Sequence, residues 1–144
     1  MAEKKNYAAR VLAIDPGAKR MGLAVSDSLG ITAQGLETFE TGKGRDLLDH
    51  LDAIIERNAI TTVVVGLPLS MRGEDIEGSE RSRALAERIV ERFGVEVVLQ
   101  DERMTSLEAE RTLRSGERSF DRSDVDKLAA VLLLQSYLDA RTER

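Results

Sequence analysis

A mixed five-stranded β-sheet flanked by helices, an α/β fold, is what this sequence predicts. Three observations lead there. The first 40 residues hold three short β-like runs separated only by turns; helical and β-branched segments alternate after them; and a long apolar helix closes the chain. The resulting order is β-β-β-α-β-α-β-α-α, antiparallel strands first and βαβ units after them.

Residues 11–15, VLAID, and 21–26, MGLAVS, read as strands joined by a Pro-Gly turn, and DSLG at 27–30 turns the chain into a third run, ITAQGLETF. In GRDLLDHLDAIIERN, Leu47, Leu48, Leu51, Ile54 and Ile55 recur on one helical face, and Asn58 suits the stop. TTVVVG at 61–66 is β-branched and of strand length, and a glycine-punctuated loop runs over 67–78. Leu85, Ile89 and Phe93, spaced by four, mark the next helix, with Gly94 fitted to its C-terminal cap. VEVVLQ at 95–100 is the fifth strand. Thr105 and Glu108 have the spacing of a capping box, which predicts a helix from there to about Gly116, and ERSFDR at 117–122 is a polar connection. SDVDKLAAVLLLQSYLDA is the final helix; Ser123 is its expected N-cap, and its apolar residues cover most of the circumference, as a helix packed on a sheet requires.

The 144 residues suit a single domain, residues 1–144, able to bury about two thirds of its unfolded surface without disulfides or a structural metal. Cysteine is absent, which excludes a thiolate nucleophile and a Cys-ligated metal site. A net charge of −5 disfavours a protein that coats nucleic acid by bulk electrostatics, yet leaves room for an enzyme that meets it locally. No apolar run approaches the roughly 18 residues of a membrane span, and no apolar segment follows the basic start, so the expected location is the cytoplasm, with no membrane partner.

Why should the buried-looking strand RVLAID end in a carboxylate? Asp15 ends the first strand, Asp101 and Glu102 end the last, and Asp124 and Asp126 lie in the first turn of the final helix. Strand ends and helix starts of a mixed sheet can converge, and converging carboxylates repel unless a cation joins them. Mg²⁺ or Mn²⁺ takes oxygen ligands, and two such ions can clamp the attacking and leaving oxygens of a phosphodiester. Each acid also has an ordinary explanation. Asp-Pro-Gly is good turn chemistry, Asp126 suits a helix N-terminus, and Asp101-Glu102-Arg103 reads as a solvated corner. Strand parity puts Asp101 with Val95, Val97 and Leu99, and Glu102 with Val98 and Gln100, but a sheet covered on both faces leaves the choice of ligand open.

His50, the only histidine, sits at the edge of an amphipathic helix far from these strand ends, which argues against a histidine triad or zinc site. Arg72, Arg81 and Arg83, in and just after the 67–78 loop, are compatible with phosphate contacts or with a plain surface loop. The five arginines from Arg103 to Arg122 alternate with acids, as on a solvated helix face.

Taken together, LAIDPGAKRMGLAVSD, VVVGLPLSMRGEDIEGSE, DERMTSLEA and VDKLAAVLLLQSYLD resemble, in order and over almost the whole chain, the motifs of the YqgF/RuvX family of pre-16S rRNA nucleases and Holliday-junction-resolvase-like proteins, which have a ribonuclease-H-like fold. The resemblance implies a catalytic and metal-binding carboxylate triad, Asp15, Glu102 and Asp126, with Asp101 as the alternative to Glu102. It implies Mg²⁺- or Mn²⁺-assisted phosphodiester hydrolysis, with Lys19, Arg20 and Arg103 as candidates to hold phosphates. The substrate expected first is structured RNA, the 5′ end of a 16S ribosomal RNA precursor; branched DNA is the alternative, and the chain is expected to be a monomer or weak homodimer. Two rivals stand beside this reading. Asp15-x-Gly17 with Gly22 is similar to the phosphate loop of actin-like ATPases, although those enzymes close two domains around a nucleotide; the other rival is a non-catalytic nucleic-acid or ribosome-assembly binding module.

Overall fold

In the computed structural model, residues 10–103 and 122–142 are described. They form one five-stranded sheet in the order β3-β2-β1-β4-β5, built from β1 (Arg10–Asp15), β2 (Arg20–Ser26), β3 (Ala33–Glu40), β4 (Ile60–Leu67) and β5 (Glu96–Asp101). β1 to β3 are the antiparallel meander, and β4 and β5 add in parallel on the other side of β1. Among the described residues three helices cover the sheet: α1 (Leu47–Arg57), α2 (Ser79–Phe93) and α3 (Arg122–Thr142). The sheet is the mixed five-stranded one expected. The capping box at Thr105 and Glu108, the helix to Gly116 and the 117–121 connection lie outside the described residues. α3 is described from Arg122, one residue before the expected N-cap Ser123.

Alternation along the strands divides the core in two. Leu12, Ile14, Leu23, Val63 and Val65 face α1 and α2, where Leu48, Leu51, Leu85 and Ile89 meet them. Val11, Ala13, Ala24 and Val64 face α3 and its Ala130, Leu133, Leu134 and Leu138. β1 is buried on both faces, hence its continuous apolar run; each of its large side chains contributes about 1.5–3 kcal/mol by leaving water. α1 starts at Asp46, whose carboxylate accepts from Asp49 N–H at 3.2 Å, and stops at Asn58, whose side-chain amide donates to the Ile54 carbonyl at 2.9 Å. α2 runs between Gly78 at φ +100° and Gly94 at φ +67°, conformations that side-chain-bearing residues seldom adopt. Ser79 ties the start of α2 to the loop leaving β4, donating to the Pro68 carbonyl at 2.6 Å. No helix among the described residues is long and apolar enough to cross a membrane.

Candidate active site

The parity that separates the two cores also decides which acids meet. Asp15 continues the Val11–Ala13 row and faces α3. In β5, Val97 faces α1 and α2, whereas Val98 faces α3 and Gln100 donates to Ser136 of α3 at 3.4 Å. Glu102 therefore falls on Asp15's side of the sheet and Asp101 on the other. Glu102 is fixed just past the strand by its own N–H, which donates to the Leu67 carbonyl at 3.2 Å.

The neighbours of Asp15 on this face are glycines. Gly22 is its partner across β2, and Gly66 follows Val65, the partner of Ile14, on β4. A Cβ at Gly66 would collide with the Glu102 carboxylate, and one at Gly22 with the Asp126 backbone carbonyl. Two missing side chains thus make room for the Glu102 carboxylate and for the first turns of α3. Neither glycine stood out in the sequence reading, although a glycine inside a β-branched run such as TTVVVG signals close approach by another group. Gly66→Ala is expected to displace Glu102, lowering cleavage at least about tenfold and destabilising the fold by about 1–3 kcal/mol, measurable by single-turnover assay and thermal melt.

The Asp15 and Glu102 carboxyls share a hydrogen bond. Burial pushes Glu102 up to about 10, helped by the bond to Asp15 and by the charges of Asp15 and Asp101. Asp15 is also raised, first by burial and further by the Asp126 charge, while the bond from Glu102 opposes the rise. At neutral pH the pair therefore keeps one proton between two carboxyls, because two buried anions in contact would be too costly.

Asp126 lies close enough for its charge to act on Asp15, yet it makes a different contact, an ion pair with Arg20 Nε at 3.0 Å. Arg20, Lys19, Ala18, Gly17 and Asp126 line an open depression of about 470 Å³ beside the carboxyl pair. Arg20 and Lys19, both expected to hold phosphate, are thus placed where a phosphate has room to sit. Arg103 is engaged elsewhere: it clasps Asp101 at 2.6–2.9 Å and donates to the Met71 carbonyl at 3.1 Å. That clasp holds the Asp101 carboxyl below the usual range. Asp124 is exposed on the first turn of α3. His50 is remote, its ring 5.0 Å from that of Phe39, and burial lowers its pKa.

Among the described residues no three acidic side chains are gathered as a ligand cluster; Asp15 and Glu102 meet, and Asp126 is held by Arg20 beside them. The donor chemistry still fits a hard divalent cation. A half-buried carboxyl pair that otherwise retains a proton is an oxygen site in which a cation can replace that proton, with a third carboxylate alongside.

Residues 9–140 match the family RuvX, described as Holliday junction resolvase. The chain is 46% identical over 143 residues to a protein of Koribacter versatilis, covering 98% of this chain and 94% of that one. It is 44% identical to one of Geobacillus kaustophilus, with 92% and 99% covered; both relatives bear the name "Putative pre-16S rRNA nuclease". Among solved structures, Thermus thermophilus RuvC in complex with a Holliday junction superposes with a TM-score of 0.53 at 19% identity, covering 93% of this chain and 96% of that one. The Fowlpox virus resolvase in complex with junction DNA gives a TM-score of 0.54 at 10% identity, covering 92% and 98%. At such identities the two structures establish a common, ribonuclease-H-like fold.

Proposed function

The chain belongs to the RuvX family, and from that premise we propose that it is a nuclease, hydrolysing phosphodiester bonds with the help of a divalent cation in maturing the 5′ end of a 16S ribosomal RNA precursor. The observation that carries this reading is the Asp15–Glu102 pair: two half-buried carboxyls joined by a hydrogen bond at the end of the central strand, with cationic side chains beside them. Crowding two carboxyls together is costly to a fold, and a nuclease gains from it a stiff oxygen site.

Asp15 and Glu102 would hold Mg²⁺ or Mn²⁺, with Asp126 as the third donor. When bound, such a cation supplies Lewis acidity at the phosphoryl oxygens and a water acidic enough to serve as nucleophile near neutral pH. The protein supplies position and charge. Asp15 is paired with Gly22 of β2 at the end of a strand whose preceding residue, Ile14, is paired on both sides, and the covering α3 limits water around the pair. Lys19 and Arg20 would receive the phosphate in the depression, Arg20 through its paired N–H groups. An Arg20 drawn to a phosphate would loosen its hold on Asp126, leaving that carboxylate free to turn toward the pair.

The RNA assignment rests on relatives above 40% identity over nearly the full chain, the junction alternative on the family's description and on structures below 20% identity. Acting on a four-way junction would call for two symmetric active sites and hence a dimer. The reading takes residues 1–144 as a single domain, a monomer or weak homodimer working in the cytoplasm on structured RNA.

Cleavage of a labelled precursor 5′ segment and of a four-way DNA junction, each with Mg²⁺, Mn²⁺ or EDTA, tests it. Metal-dependent cutting of the RNA is expected. Symmetric nicking of the junction alone would transfer the assignment to a resolvase, and binding without cutting of either would make the chain a binding module.

A further inference from the structure

On the sheet face opposite the carboxyl pair, but at the same end of the strands, a groove of about 270 Å³ opens between the end of β3, the start of α1 and α2. Its floor is apolar, with Phe39 and Leu47, and its walls carry Arg45, Arg81 and Arg88 against a single acid, Asp46. In a chain of net charge −5, three guanidiniums around one carboxylate are a local reversal of sign.

The arginines are placed rather than scattered. The Arg45 guanidinium lies 5.1 Å over the Phe39 ring, and its Nη2 is 3.5 Å from His50 Nδ1, an arrangement that fixes the plane of the group while leaving N–H edges free. Arg81 and Arg88 are seven residues apart on α2, hence on one face and separated by two turns, about 10.5 Å. Arg88 is only loosely paired with Asp46, at 3.7 Å, and its side chain is 56% exposed. The groove is also joined to the site. Thr41 at its rim donates from its N–H to the Lys19 carbonyl at 2.9 Å and from its hydroxyl to the Ala18 carbonyl at 2.8 Å, and Ala18 and Lys19 line the depression beside Asp126.

We propose that this groove is a second nucleic-acid site, in which Arg45, Arg81 and Arg88 hold backbone phosphates of the substrate strand flanking the cleaved bond. The strand leaves the Lys19–Arg20 depression, turns around the end of the sheet at residues 18–19 and 41, and continues on the α1–α2 face. It rests on the nuclease reading and adds a substrate class to it: a single strand flexible enough to bend around the sheet end. A substrate too short to make the turn uses only the first site.

The test compares wild type with Arg45→Gln/Arg81→Gln/Arg88→Gln, and with Arg81→Gln alone because Arg45 also packs on Phe39. Binding of a long single-stranded RNA is measured by anisotropy over a range of salt concentrations, and turnover of bis(p-nitrophenyl) phosphate, which is too small to span both sites, is measured in parallel. For a single strand the slope of log K against log salt falls by about 0.7 per phosphate contact removed, so the triple variant is expected to lose about 2 and Arg81→Gln about 0.7. Turnover of the small diester should match wild type in both. An unchanged salt slope, or no RNA binding by wild type, would overturn the proposal and leave the groove to an acidic protein partner. Absence of small-diester turnover by wild type with Mg²⁺ and Mn²⁺ would count instead against the nuclease reading, a separable outcome.

Discussion

Asp15→Asn is expected to lower nucleic-acid cleavage by at least about 10²–10³-fold, the usual cost of one preorganised charge at a reacting centre, while leaving the fold and most nucleic-acid binding intact. The position allows so clean a separation because the change is isosteric and removes a buried charge. Asp15 ends the strand that the sheet holds from both sides, its main chain paired to Gly22 of β2 and its row continued in β4. Binding, by contrast, is proposed to draw on Lys19, Arg20 and the arginines of the opposite groove, none of which needs the Asp15 charge. Single-turnover cleavage beside anisotropy and a thermal melt reads all three properties. Wild-type cleavage by purified Asp15→Asn would remove this residue from the chemistry.

Glu102→Gln is expected to change the pH dependence of stability as well as to abolish cleavage. In the unfolded chain Glu102 titrates as an ordinary glutamate near 4.5, whereas in the fold it holds its proton up to about 10. Its contribution to stability is therefore fully present below pH 4.5 and is lost progressively as the pH rises toward 10, since the unfolded state releases a proton that the folded state retains. At pH 7 that loss is on the order of 3 kcal/mol. Glutamine imitates the protonated carboxyl and can donate to Asp15 at every pH. The variant should match wild type near pH 4 and exceed it at pH 7 by about 5–10 °C in melting temperature, measured without divalent cation. Parallel stability curves for the two proteins would mean that Glu102 is not the group that keeps the proton.

The strands and helices were legible because each obeys one dominant rule. Leu47, Leu48 and Leu51 recur with helical period, VVV in β4 is a run that only a doubly covered strand needs, and Gly94 marks a stop. What the local pattern could not supply was the third dimension. Parity put Asp101 and Glu102 on opposite faces but did not say which face Asp15 uses; the placement of α3 on the Val11–Ala13 side makes Glu102 its neighbour. Gly22 and Gly66 matter through groups 104 and 36 residues away in the chain, the Asp126 carbonyl and the Glu102 carboxylate, so no window of sequence contains both members of either contact. The Arg20–Asp126 pair is likewise long-range. Arg45 and Arg88 carry no signal of their own in the sequence, and Arg81 stands out only beside Arg72 and Arg83; the loop after β3 and two turns of α2 bring the three together only in the fold.

The central proposal is that Asp15 and Glu102 are brought together, half-buried, so that a divalent cation can replace their shared proton. Calorimetric titration of Mn²⁺ at pH 7 into wild type and Glu102→Gln, repeated in buffers of different ionisation enthalpy, measures that exchange directly. Binding to wild type with release of about one proton, and weaker binding without proton release by the variant, is the predicted result. Binding that releases no proton from wild type, or that is equally tight in both proteins, would contradict it.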